Sequence, residues 1–230
     1  MMNKTALLCA AMAIAGLAAA GCELAADRPT TVPTQAVSDL VLPTEAAGAS
    51  VAETNFVMTW LMLGPITFQE SDFGGGHQQP SADHAFVKNE GGLDGTQTPP
   101  EGARWQEKQF TGGEGDGHVN LDAFYKKADH AAAYAVAWLR CPADVKDAKL
   151  YVGSDDYISV WVNGKRVHTY RTERRAGQAD QDCVPGIALK KGYNRIVVKC
   201  VDVVLGWNFY FRLADAKDRP MVVSAAAAAK

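Results

Sequence analysis

Asp155 and Asp156 stand side by side in "GSDDYISVWVNGKRVHTY", residues 153–170, and adjacent carboxylates at a bend have two common uses. They form a turn, or they offer oxygens to a calcium ion. A calcium site draws roughly five or more oxygens from several loops, so the pair would need partners from elsewhere in the chain. Asp180 and Asp182 in "ADQDC" are a second acidic pair of the same kind. The stretch also carries Tyr157, Trp161, His168 and Tyr170, interleaved with Ser159 and Arg166. Rings on a rigid sheet stack on the C–H faces of a sugar, while Arg, His and Ser supply directional polar contacts.

These side chains are positioned by a hairpin. Asn163-Gly164 is the favoured pair for a two-residue type I′ turn, because both positions need positive φ. A two-residue loop predicts the register: Trp161 opposite Arg166, Val160 opposite Val167, Ser159 opposite His168, Ile158 opposite Thr169 and Tyr157 opposite Tyr170. Alternation then sends Ile158, Val160, Val162, Val167 and Thr169 inward. Tyr157, Ser159, Trp161, Arg166, His168 and Tyr170 share the other face, the expected ligand face. The opposing expectation is that a Gly-rich segment covers Trp161 and its neighbours and merely completes the core. Trp207 and Asn208 in "GWNFYFRL" are a second candidate surface.

The rest of the chain must supply sheets for this hairpin to join. Short apolar runs bounded by Gly, Pro, Asn and Asp recur at 56–63, 132–139, 148–153, 157–162, 194–204 and 207–213. Such runs predict strands, and together an all-β domain over 55–215 built as a two-sheet sandwich. "NLDAFYKKADHAAAYA" is the one stretch with helical composition. Between Gln69 and His118 the chain turns rich in Gly, Gln, Pro and acids, and edge strands are expected there around "HAFVKN" and "ARWQEKQF".

The ends read differently. Residues 1–21 carry Lys4, an apolar stretch and small residues, the pattern of an export signal. "LAAAGC" is similar to a bacterial lipobox, with Cys22 as the lipid-bearing residue and Ala19 where that motif prefers Leu. An ordinary cut after Ala18-Ala19-Ala20 is the alternative. Residues 22–54, rich in Ala, Thr and Pro without one aromatic residue, read as a flexible tether, and 216–230 as a low-complexity tail. The expected address is a membrane-anchored lipoprotein facing the periplasm or cell surface, touching membrane through its lipid alone. The formal charge of −3, which becomes −4 once Lys4 leaves with the signal, gives no basic face for nucleic acid. Of five cysteines, Cys141, Cys183 and Cys200 fall in the exported domain, where at most one disulfide and at least one buried thiol are expected.

Over roughly 55–215, "WLMLGP", "HVNLDAFY", "AAYAVAWL", "LYVGSDDYISVWVNGKRVH", "LKKGYNRIVVKCVD" and "GWNFYFRL" resemble the galactose-binding-like β-sandwich modules of exported bacterial proteins. The resemblance implies a jelly roll without catalysis of its own, bound to a glycan or polysaccharide. "GSDDYISVWVNGK" is also similar to PA14 domains, whose adhesin members hold calcium on two neighbouring aspartates in a cis-peptide arrangement; Asp155 and Asp156 match that pattern as two adjacent acids. Nothing in the sequence has the local signature of a hydrolase. There is no G-x-S-x-G or H-E-x-x-H, and His77, His84, His118, His130 and His168 lack metal-ligand spacing. The expectation is therefore a non-enzymatic carbohydrate-binding lipoprotein, with calcium as the one cofactor in view. The alternative is a structural or protein-interaction module of the envelope on the same fold. Replacing Cys22 with Ser is predicted to move the protein from the membrane to the soluble exported fraction; unchanged partition on fractionation would contradict lipidation.

Overall fold

The β-branched and aromatic runs form strands that pair into two antiparallel sheets. The structure is a computed structural model and describes residues 55–73, 79–111, 117–221 and 224–226. The expected signal at 1–21, the tether at 22–54 and Cys22 lie outside the described residues. In chain order the strands are β1 (Thr59–Thr67), β2 (Arg104–Gln109), β3 (Val119–Asn120), β4 (Ala131–Cys141), β5 (Val145–Asp155), β6 (Tyr157–Val162), β7 (Lys165–Tyr170), β8 (Asp182–Leu189), β9 (Gly192–Asp202), β10 (Asn208–Ala214) and β11 (Ser224–Ala226). The large sheet runs β2-β1-β4-β9-β6-β7, with β11 also paired to β4, and the small sheet runs β3-β10-β5-β8. Two short helices, α1 (Gln79–Asp83) and α2 (Leu121–Tyr125), complete the all-β sandwich.

Between the sheets, Trp60 meets Phe209 and Phe211 edge-on at 5.3 and 5.5 Å, and Ile158, Val160, Ile196 and Val198 pack into the same core. The large sheet is apolar on its outer face too. Leu61, Leu63, Tyr134, Val136, Trp138, Trp161 and Val197 lie there beneath Phe86, Val87 and Leu93. That double burial is why β4 reads "AAAYAVAWL" with no polar alternation. The cover is the Gly-rich segment, and a buried ion pair fastens it. Lys199, its side chain 3% exposed, places Nζ 2.9 Å from Glu90 Oε1 and donates to the His84 carbonyl at 2.9 Å. The Tyr134 hydroxyl donates to the same Glu90 oxygen at 2.6 Å. At Gly91 a Cβ would lie 2.5 Å from Trp161 Cδ1, so only glycine lets the cover approach so closely.

Several expectations are corrected here. The Asn163-Gly164 turn is present, with φ of 50° and 85°, and Trp161 does face Arg166. Beyond them a bulge slips the register, so Val160 faces His168, Ser159 faces Thr169 and Ile158 faces Tyr170. Tyr170 then packs against the inter-sheet core, and the expected single face of Tyr157, Trp161, Arg166, His168 and Tyr170 does not exist. Tyr157 and Trp161 are 1% and 6% exposed, which answers the hairpin's ambiguity in favour of core. "ARWQEKQF" does hold an edge strand, but "HAFVKN" does not: Phe86 and Val87 cover the large sheet as loop. The helical reading survives only as α2, because the alanines that follow are strand β4. Ser224–Ala226, expected as tail, pairs with Trp138–Arg140 of β4.

Cys141, Cys183 and Cys200 are all free. Cys200 pairs across from Ala133 and Cys141 from Gly192, so eight residues of β4 separate the two positions, roughly 26 Å at 3.3 Å per residue. Cys183 is exposed on β8, whereas Cys200 lies inside the core. Trp161→Ala is predicted to cost about 3–5 kcal/mol of stability by urea unfolding, as for a large ring removed from a packed interior. A loss below about 1 kcal/mol would contradict the burial.

Candidate cation-binding site

Among the connections that cross between the sheets, three matter here: β5 into β6, β7 into β8, and β9 into β10. The first carries Asp155 and Asp156. The third begins at Asp202, and registry of Tyr157 with Val201 and of Asn208 with Asp155 brings it beside the first. Asp155, Asp156 and Asp202 thus offer one oxygen each within 4.8 Å of one another. The Asp155–Asp156 peptide bond is cis.

The three carboxylates have unequal partners. Asp156, its side chain 1% exposed, accepts from Val203 N at 3.0 Å and, through both oxygens, from Arg174 Nε at 3.2 and 3.1 Å. Asp155 is partly buried; its carboxylate accepts from the Gly177 N–H, and one of its oxygens lies so close to Gly206 that no Cβ would fit there. Asp202 is fully buried, and neither of its oxygens has a hydrogen-bond partner. Burial first, then the negative charges of Asp156, Asp129, Asp122 and Asp155, raise the Asp202 carboxyl to about 8. Burial and Asp156 raise Asp155 to about 7. A buried, unpaired carboxylate is costly, so such a group either holds a proton or meets a cation.

The donor set fits a hard divalent cation. Carboxylate oxygens suit calcium or magnesium, and the nearby Cys200 thiol, pushed well up by burial, is no thiolate ligand. The buried Asn208 Oδ1, also without a hydrogen-bond partner, adds a neutral oxygen in the register position opposite Asp155. Asp155, Asp156 and Asp202 would hold the ion, which would supply the positive charge that the cluster lacks.

The second crossing, residues 171–181, straps over this end. Arg175 binds Asp182 through Nη1 and Nη2 at 3.0 and 2.6 Å, reaches the Ser154 carbonyl at 3.3 Å and lies 3.5 Å over the Tyr170 ring. His168 Nε2 is 3.0 Å from the same Asp182 carboxylate. Gly153 and Gly177 face Gln178 and Asn208 with no room for a Cβ. Asp180 is paired with Arg212 at 2.6 Å, so neither Asp180 nor Asp182 joins the trio.

The expected ligand residues are therefore scattered. Arg166 is exposed near the hairpin turn, His168 and Tyr170 belong to the Asp182–Arg175 network, and Trp207 is fully buried and stacked on Tyr125 at 5.2 Å. Asn208 and the Asp155–Asp156 pair do meet. Asp202 and Arg174 are the residues that sequence reading missed. The available signal was an acid closing the apolar run "NRIVVKCVD", where a strand end should be free to stay polar and exposed.

No protein-family model matches the chain, and no curated protein matches it. Among solved structures it is similar to the PA14 domain of the MpAFP antifreeze protein, at 16% identity over 43% of this chain and 53% of that one, with a TM-score of 0.31. It is also similar to the α-xylosidase of Xanthomonas citri, at 12% identity over 53% of this chain and 15% of that one, TM-score 0.33. A third is the β-glucuronidase of Ruminococcus gnavus, at 10% identity over 82% of this chain and 40% of that one, TM-score 0.33. The chain spans about half the length, or less, of each of these three.

Burial alone would raise the Asp182 carboxyl, but the hydrogen bonds and charges of His168 and Arg175 outweigh it and hold the group well below the usual range. An acid lowered on folding stabilises above its unfolded value, near 4, and that contribution fades as pH falls through the folded value. The melting-temperature gap between wild type and Asp182→Asn is therefore predicted to be full at pH 6 and to shrink by pH 2.5. A gap that widens on acidification would contradict the pairing.

Proposed function

We propose that this chain is a non-catalytic, cation-dependent carbohydrate-binding module of the bacterial envelope, anchored through Cys22. Its ligand end is the pole carrying Asp155, Asp156 and Asp202. The observation that carries the cation is the buried Asp202 carboxylate with both oxygens unpartnered, beside two further aspartates. Calcium takes about six to eight oxygens, more than three aspartates provide, and vicinal sugar hydroxyls are well shaped to complete such a shell. Leu205, 78% exposed between Val204 and Gly206, offers an apolar contact for a sugar C–H face at the same rim.

A second reading keeps the cation and drops the sugar: an envelope structural or protein-interaction module. The dry, covered face of Tyr157 and Trp161 favours it, since those rings are scaffold.

Calcium titration followed by melting temperature tests the cation. At about 100 times the dissociation constant, stabilisation of about 2.7 kcal/mol is expected, or roughly 5–10 °C for a domain of this size. Asp202→Asn should abolish the response, yet be no less stable than wild type without calcium, because the neutral amide replaces a buried acid that must otherwise hold a proton. An equal response in both proteins would contradict the site. A glycan array with and without chelator then separates the two readings: chelator-sensitive glycan signals support the first, and a silent array beside an intact calcium response supports the second.

A further inference from the structure

The trio already has one cation within reach. Arg174 Nε sits side-on to both Asp156 oxygens, and its Nη2 donates to the Val204 carbonyl at 2.7 Å. The guanidinium therefore binds one carboxylate of the cluster and one backbone carbonyl of the β9–β10 crossing. Those are the kinds of oxygen that a divalent ion would take. Asp156 Oδ2 also accepts from Val203 N at 3.0 Å, so both of its in-plane lone pairs are used while Arg174 is in place. The positive charge of Arg174 acts on Asp155 as well, and its side chain is 26% exposed.

Arg174 belongs to the 171–181 strap, which touches the trio a second time where the Gly177 N–H donates to Asp155 and is otherwise fastened away from it. Arg175 is fixed to Asp182 and Ser154, Gln181 accepts from Ser154 N at 2.9 Å, and Gln181 Nε2 donates to the Ala176 carbonyl at 2.7 Å. Detaching Arg174 leaves those contacts intact. It frees two things: the stretch of strap between Arg171, which is paired with Asp83, and Arg175, and the carbonyl next to the exposed Leu205.

Resting on the cation reading above, we propose that Arg174 is a tethered cation that holds the aspartate trio until a divalent ion displaces it. Ion entry breaks the Arg174–Asp156 and Arg174–Val204 contacts. The Arg174 end of the strap loosens, and the rim around Leu205 changes shape. The ion thus does more than bridge a ligand: it opens the surface on which the ligand lands.

Calorimetric titration of calcium into the mature chain tests this, using wild type, Arg174→Gln, Arg174→Lys and Asp202→Asn. Removing the competitor should tighten calcium binding about tenfold in Arg174→Gln, with Arg174→Lys intermediate because it keeps the charge but loses the side-on fork. Asp202→Asn should not bind. In wild type, calcium should speed tryptic cleavage after Arg171 and Arg174, read from fragment masses. Wild type that binds calcium while Arg174→Gln binds equally or more weakly overturns the proposal and leaves the cation site standing. Calcium that leaves strap cleavage unchanged or slows it also overturns the proposal, without any variant having to fold. If neither wild type nor Arg174→Gln binds calcium, the cation reading itself fails and the proposal with it.

Discussion

Several strand crossings meet at one end of the sandwich, and aspartates make two of them, β5 into β6 and β9 into β10. Two like charges about 4 Å apart repel by about 4 kcal/mol at an effective dielectric near 20, and here three carboxylates offer oxygens within 4.8 Å. Hydrogen bonds settle Asp156 and partly settle Asp155, but Asp202 is left in a dry place with nothing to bind. The raised Asp155 and Asp202 carboxyls, the side-on arginine and the close approach of Gly177 and Gly206 are all consequences of that one crowding. A compact positive charge resolves it more completely than a proton or a guanidinium, because it faces all three carboxylates at once.

The opposite side of the large sheet serves a different purpose. There the Gly-rich segment lies flat on Trp161, Trp138 and Tyr134, pinned by Glu90 to Lys199. Such a buried pair is retained only with good geometry and extra hydrogen bonds, and Tyr134 and the His84 carbonyl supply them. The aromatic residues that looked most like a ligand platform hold this third layer in place. Scaffold and candidate site are thereby separated: the rings stabilise the sheet face, and the charged groups gather at its end.

Local patterns carried much of the architecture. The Asn163-Gly164 turn, the short β-branched strands and the edge strand at Arg104–Gln109 all follow from period and turn chemistry, and all are present. Two kinds of information were not local. One was the bulge beyond Trp161, which moves His168 and Tyr170 off the expected face, because a slip of one residue inverts every later side chain. The other was the pairing of β6 with β9 and of β5 with β10, which brings Asp202, far along the chain from Asp156, to the same place. The two adjacent acids were visible in the sequence; the third acid and Arg174 depend on which strands are neighbours.

The most direct measurement of the central claim is a crystal structure of the mature domain grown in millimolar calcium. An ion bound to oxygens of Asp155, Asp156 and Asp202 at about 2.3–2.6 Å, with Arg174 withdrawn from Asp156, is the result expected. Crystals in which the Arg174–Asp156 pair is intact and no ion lies among the three carboxylates would contradict the account.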